Sequence, residues 1–244
     1  MPIIEEHPVI FPPKSNVSLW RYMDIPSFLS LLIDKSLTFV RADLLEDKYE
    51  GTLPTLTAAI IDFQYKNLSE LLKTHNNTAT YLNCWCKESH EMVHMWKIYS
   101  KENGIAIETK YEDLKAAVES NEAIYATEVM YIDFHKEIIN WQANAMTVYT
   151  MKRQEYKSEN EVRLILSHPK VIEDQLLHLK PFERNDARQE LCLKNQVIKC
   201  KVNLAKLISK IHISPYAPKW YFDIVNDVTK IYLLTAKEII QSDL

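Results

Sequence analysis

The stretch Tyr156-Lys-Ser-Glu159-Asn-Glu161-Val-Arg163-Leu-Ile-Leu166 decides how this chain is read. Its alternation predicts a strand, with Val162, Leu164 and Leu166 on one face and Glu159, Glu161 and Arg163 on the other. An alternating strand ordinarily turns its polar face to water, where charges two residues apart pair along the surface. The second reading is a cleft wall on which two carboxylates and a guanidinium converge on a polar ligand. Partners elsewhere in the chain decide between the two.

Working outward, strands are expected at residues 19–23, 36–42, 81–86, 104–108, 122–131, 197–202, 208–214 and 229–234. Helices are expected at 27–34, begun near Asp24 or Pro26, and at 56–74, 91–100, 111–118, 138–152 and 218–226. Residues 1–15 carry Pro2, Pro8, Pro12 and Pro13 and read as an extended arm. Residues 43–51 hold Asp43, Glu46, Asp47 and Glu50 without an apolar rhythm, and read as an exposed loop or short turn-helix. Strands and helices mix without a steady βαβ rhythm. The fold class is therefore α+β, with a mixed or mainly antiparallel sheet and flanking helices.

At 244 residues, 47% of them hydrophobic, the chain can bury a large core, and no linker or repeat divides it. A single domain with an N-terminal arm follows. The formal charge of -4 excludes only a globally basic nucleic-acid binder. Lys194, Lys199, Lys201, Lys206 and Lys210 read as a solvated face. Four cysteines do not make a disulfide framework in a chain this long, and Cys84-Trp-Cys86 has neither redox nor zinc-knuckle spacing. His90-Glu-Met-Val-His94 matches the short zincin pattern, but no third ligand follows it, and no metal is assigned. No signal peptide or membrane-length apolar run is present, so the expectation is a soluble cytoplasmic protein.

Only Gly51 and Gly104 occur. Rossmann and P-loop phosphate sites need several close glycines, so this chain makes neither. A nucleotide, if bound, is held by side chains, with arginine the natural phosphate ligand.

Arg21, Arg41, Gly51, Asn83-Cys-Trp85, Met95-Trp96-x-x-Tyr99, Gly104-Ile-Ala-Ile107 and Glu159-x-Glu161-x-Arg163 together resemble a bacterial family, the domain of unknown function numbered 2971. Leu207-Ile208, Ile213-x-Pro215, Ala217-Pro218 and Trp220 extend the likeness. The order of a basic residue in an early strand, a polar-aromatic strand and a late Glu-x-Glu strand also resembles the ADP-ribosyltransferase superfamily. That resemblance implies NAD as substrate, with Arg21 at the basic position, Glu161 as the catalytic glutamate and Glu159 orienting an acceptor. Asn83, Trp85 and Ser89 compete for the middle position. Arg41 would join Arg21 on the pyrophosphate, and Tyr22 or Trp85 would stack on nicotinamide. The acceptor would be an unknown protein or nucleic acid, in a phage-defence or toxin setting. Two alternatives stay open: a non-enzymatic binding module, and a metal-dependent hydrolase or nuclease built on Asp43, Asp47, Glu159 and Glu161.

Overall fold

The computed structural model describes residues 3–14, 16–100, 102–140, 144–180, 183–232 and 236–244. Its main sheet holds β1 (Ile3–Ile4), β2 (Ser18–Asp24), β3 (Ser36–Arg41), β4 (Thr80–Lys87), β5 (Gly104–Lys110) and β6 (Ile124–Glu128). A two-stranded ribbon of β7 (Met130–Ile132) and β8 (Met151–Arg153) stands apart. The main sheet is completed by β9 (Glu161–Ser167), β10 (Val197–Lys201), β11 (Lys210–Ile213) and β12 (Glu238–Gln241). The path runs β1-β6-β9-β4-β2-β5-β11-β12, and β3 joins β4 to β10 off that path. Among the described residues, only β1–β6 and β11–β12 pair parallel within it. The class is α+β, as the interspersed pattern implied.

Strand β4 explains where a cleft opens. One of its edges pairs along its length with β9, from Thr80↔Ser167 to Cys86↔Glu161. The other edge is shared: Tyr81 and Leu82 pair with β3, whereas Cys86 and Lys87 pair with β2. The sheet forks between them, leaving Asn83, Cys84 and Trp85 without a strand partner on that edge. Helix α1 (Ile25–Asp34) links the two prongs. Asp24 caps it by accepting from Ser27 N at 2.9 Å, and Pro26 sits in its first turn.

Strand β9 is buried on both faces. Val162, Leu164 and Leu166 join the larger core, while Ile165 packs with Leu82, Val148 and Tyr149 on the opposite side. The polar face is therefore not a surface: Arg163 is 0% exposed. Two segments cover it, the turns after β3 and the stretch that contains β8.

Several expectations change. Residues 138–152 form no helix among the described residues; they hold turns, the 3-10 turn Thr147–Tyr149 and then β8, while 141–143 lie outside the description. Residues 229–231 end the helix Lys219–Ile231 instead of starting a strand, and 233–234 also lie outside the described residues. The 56–74 helix is two, α2 (Thr55–Gln64) and α3 (Leu68–Ala79), broken where Asn67 takes a positive φ of 58°. Amphipathic spacing does not reveal such a break. The acidic turn at 43–51 is exposed only in part: Asp43 and Glu46 face solvent, whereas Asp47 and Glu50 are buried. The N-terminal arm lies along β6, with β1 paired there and Phe11 bonded to Thr127 and Glu128.

Candidate functional site

The fork holds a cavity of about 280 Å³ lined by Arg21, Tyr22, Val40, Cys84, Trp85, Tyr99, Lys152, Glu159, Glu161 and Arg163, among others. A second cavity, about 560 Å³, continues beside α1 and is rich in hydroxyls, with Ser27, Ser30, Ser36 and Thr38 in its wall. Arg21, Tyr22, Val40 and Tyr99 belong to both walls. The two form one bipartite cleft with Arg21 at its waist.

Arg21 is the unusual group. Its Nη1 is buried and has no hydrogen-bond partner among the described residues. Its guanidinium carbon lies 5.8 Å from the Trp85 ring centroid, which gives the charge an aromatic face and no counter-anion. Burial lowers its pKa, with Cys84 acting weakly the other way. A pairing of Arg21 with Glu159 or Glu161 is not formed; other cations occupy those carboxylates.

Those cations are Arg163 and Lys152. Arg163 donates from Nε to Glu161 Oε1 at 2.8 Å and from Nη2 to Oε2 at 3.1 Å. Its Nη1 bonds Glu50 Oε1 at 2.6 Å and the Tyr149 carbonyl at 3.0 Å. Lys152 bridges the two predicted carboxylates, reaching Glu159 Oε2 at 2.5 Å and Glu161 Oε2 at 3.1 Å. Burial alone would raise the pKa of Glu161, but Arg163 and Lys152 hold it well below the ordinary carboxylate range. For Glu50 burial wins, and its pKa is raised in spite of Arg163. The site thus separates a glutamate held ionised by two cations from one that takes a proton more readily.

Local sequence explains how these groups arrive. Glu159 ends a 3-10 turn rather than extending the strand, and Asn160 turns the chain with φ 40° so that β9 begins at Glu161. Gly51, at φ 67°, lets the chain turn straight after Glu50. Asn77 fastens that turn by donating to the Glu50 carbonyl at 3.0 Å, and Tyr149 donates to Asn77 Oδ1 at 2.8 Å.

The other named residues divide. Tyr22 lines the cleft, and its hydroxyl accepts from Met92 N at 2.9 Å, which anchors the turn carrying Met95 and Tyr99. Asn83 does not face the ligand space: it donates to the Thr38 carbonyl at 2.8 Å and accepts from Trp85 Nε1 at 2.8 Å. It pins the fork and sets the indole. Arg41 is a correction, since it lines neither cavity. It bonds Asp43 from Nε at 2.6 Å and also reaches the Cys192 carbonyl. Ser89 bonds His90 at the surface.

The metal readings find no geometry. The helix of the zincin pattern starts only at Val93, with Met92 extended, so His90 and His94 share no helical face. Asp43 and Asp47 are paired with Arg41 and Arg153, so although Asp47 lines the same cavity as Glu161, its carboxylate is already held by a guanidinium. Among the described residues, no group of three or more His, Cys, Asp or Glu could hold a metal ion. All four cysteines are free, and burial pushes the Cys86 thiol up to about 12. Among the described residues, no helix is long and apolar enough to cross a membrane.

Sequence reasoning gave no site role to Lys152, Glu50 or Tyr99, although Tyr99 stood in the Met95-Trp96-x-x-Tyr99 motif. Lys152 lay inside a stretch read as helix, and Glu50 inside one read as exposed. The only available signal was charge: an ion-pairing strand rich in carboxylates needs cations from elsewhere.

Fold and site together define an α+β protein with a charged cleft in the fork of its sheet. Residues 95–164 match the family model described as "Protein of unknown function (DUF2971)", a stretch that takes in the Met95-Trp96, Gly104 and Glu159-x-Glu161-x-Arg163 motifs. One solved structure, "Thermus sp. 2.9 DarT in complex with carba-NAD+", is similar with 8% sequence identity, covering 94% of this chain and 96% of that one at a TM-score of 0.36. No curated protein matches the sequence.

Proposed function

We propose that the cleft binds NAD as a substrate and that the protein transfers ADP-ribose to an acceptor on a protein or nucleic acid, or to water. The carrying observation is Arg21, a half-buried cation whose Nη1 is buried without a partner among the described residues, in the same cleft as an ionised Glu161. An unpaired buried charge is costly, and it is sensibly retained where a ligand supplies the partner. A pyrophosphate at Arg21 fits the waist of the cleft. The two cavities together match the roughly 300–1,000 Å³ of small-molecule sites.

The chemistry suits a fixed anion. Breaking the bond between ribose C1′ and the nicotinamide nitrogen sends its electron pair to the pyridinium ring, which leaves neutral. Positive charge grows on the ribose, and a carboxylate beside it lowers that barrier. Glu161 is held ionised, so it acts as an electrostatic stabiliser and not as a proton donor. The acceptor oxygen or nitrogen then bonds to C1′ and releases its proton to solvent. Trp85 and Tyr22 offer aromatic faces for the base. A cytoplasmic setting agrees with the NAD supply and with four free thiols. The defence or toxin role rests on the resemblance to the superfamily.

The test is nicotinamide release from NAD, followed for the wild type and for Glu161→Gln, with NAD binding measured by calorimetry. Release that vanishes in Glu161→Gln supports the reading. Absence of both release and binding in the wild type would sink it.

A further inference from the structure

The Glu159/Glu161 pair looks, from its residues alone, like a seat for a cationic group. In the structure that seat is taken. Lys152 Nζ lies between the two carboxylates, 2.5 Å from Glu159 and 3.1 Å from Glu161, and its side chain is only 10% exposed. The Tyr156 ring closes the position from one side, with its centroid 4.7 Å from Nζ. The Tyr99 hydroxyl donates to the remaining Glu159 oxygen at 3.3 Å. Two carboxylates, an aromatic face and a phenol make the seat complete, and its occupant is part of the chain.

Charge balance shows what the occupant does. Glu50, Glu159 and Glu161 face Arg163 and Lys152 within one buried network. Without Lys152, three carboxylates would share a single guanidinium, and the cleft would draw a cation from outside. The lysine arrives from β8, on the small ribbon apart from the main sheet, with Lys152 opposite Tyr131 of β7. Tyr131 is bonded in turn to Glu161, whose backbone N donates to its hydroxyl at 2.7 Å. The seat and its occupant are therefore held by the same ribbon.

We infer that Lys152 is a specificity-determining residue that fills a cation subsite beside Glu161, excluding guanidinium and ammonium acceptors and leaving the cleft to uncharged acceptor atoms. This rests on the transferase reading for the word acceptor, but the subsite itself does not. Its occupancy is a binding question that needs no NAD.

Agmatine, a guanidinium amine without a carboxylate, is the probe. It is titrated by calorimetry into wild type, Lys152→Ala, Lys152→Arg and the double variant Lys152→Ala/Glu159→Gln. A charge-assisted hydrogen bond in such a seat corresponds to about tenfold or more in affinity. Lys152→Ala is expected to bind agmatine at least about tenfold tighter than wild type, Lys152→Arg to behave as wild type, and the double variant to lose the gain. A merely structural lysine would produce no gain of binding. Agmatine binding to Lys152→Ala no tighter than to wild type, or a gain that survives Glu159→Gln, overturns the inference. If Lys152→Ala fails to fold, it is refolded with ethylammonium chloride; a restored thermal transition supports the subsite, and no restoration counts against it. With NAD added, wild-type protein that releases nicotinamide yet leaves agmatine unmodified agrees with the inference. Wild-type modification of agmatine refutes it, while absent nicotinamide release refutes only the transferase reading.

Discussion

Replacing Arg163 with methionine keeps most of the side-chain volume and removes the charge at the centre of the network. In the native protein this guanidinium is wholly buried and serves Glu50, Glu161 and the Tyr149 carbonyl together. Its loss strands two carboxylates with only Lys152 nearby. Removing one partner of a buried ion pair costs about 3–5 kcal/mol. For a chain of this size that corresponds to a fall in Tm of about 10 °C. The sign of the pH dependence is also set. Burial already raises the pKa of Glu50, and without Arg163 the carboxylates rise further, so the folded variant takes up protons that the unfolded chain does not hold. A raised carboxyl gains stability as pH falls towards its unfolded value, near 4.5. The deficit of Arg163→Met against wild type therefore narrows between pH 7.5 and about pH 5. Urea unfolding followed by tryptophan fluorescence, at both pH values, reads the difference. Adding Glu50→Gln to the variant is expected to recover part of the loss. A deficit below about 1 kcal/mol that is the same at both pH values would mean the network behaves as surface pairs, and the cleft argument fails with it.

Arg21 behaves oppositely, because its guanidinium has no counter-anion to lose. Arg21→Met is expected to leave the urea midpoint unchanged or raised, while NAD affinity falls about tenfold to a hundredfold, as read by calorimetry. In wild type, Glu161 is depressed, so its contribution is complete above its unfolded pKa of about 4.5 and disappears as pH falls below it; Glu161→Gln should erase that acid-side loss in a urea titration. Gly51→Ala meets a positive φ and places a Cβ 1.8 Å from Oδ1 of Asn77, the residue whose Nδ2 donates to the Glu50 carbonyl and holds the turn. The backbone alone costs about 1–3 kcal/mol, and the expected readout is a lower Tm together with weaker NAD binding.

Much of the frame was legible from local pattern. Val162, Leu164 and Leu166 were assigned to the core face of β9 by alternation, and that face is buried as expected. Asp24 and Pro26 marked the start of α1, because capping and the fixed φ of proline act within one turn. In each case the interaction is local, and period or spacing is sufficient.

What covers the charged face of β9 was not legible. Alternation tells which residues share a face, but not whether water or protein lies against it. Glu50 meets Arg163 across 113 residues, and Arg153 meets Asp47 across 106. Such pairs exist only after the chain has closed long loops. The fork of β4 is likewise a property of register: neither β2 nor β3 announces that it will leave the shared edge where Asn83, Cys84 and Trp85 lie. By itself the sequence determined that Glu161 and Arg163 would stand on one face of β9, because side-chain direction along a strand is a matter of backbone geometry; Glu159 joins them from the preceding turn. Only the tertiary structure decided that they are buried, that Lys152 sits between the two glutamates, and that Arg21 is the cation left unpaired, because those facts depend on which distant segments pack over the strand.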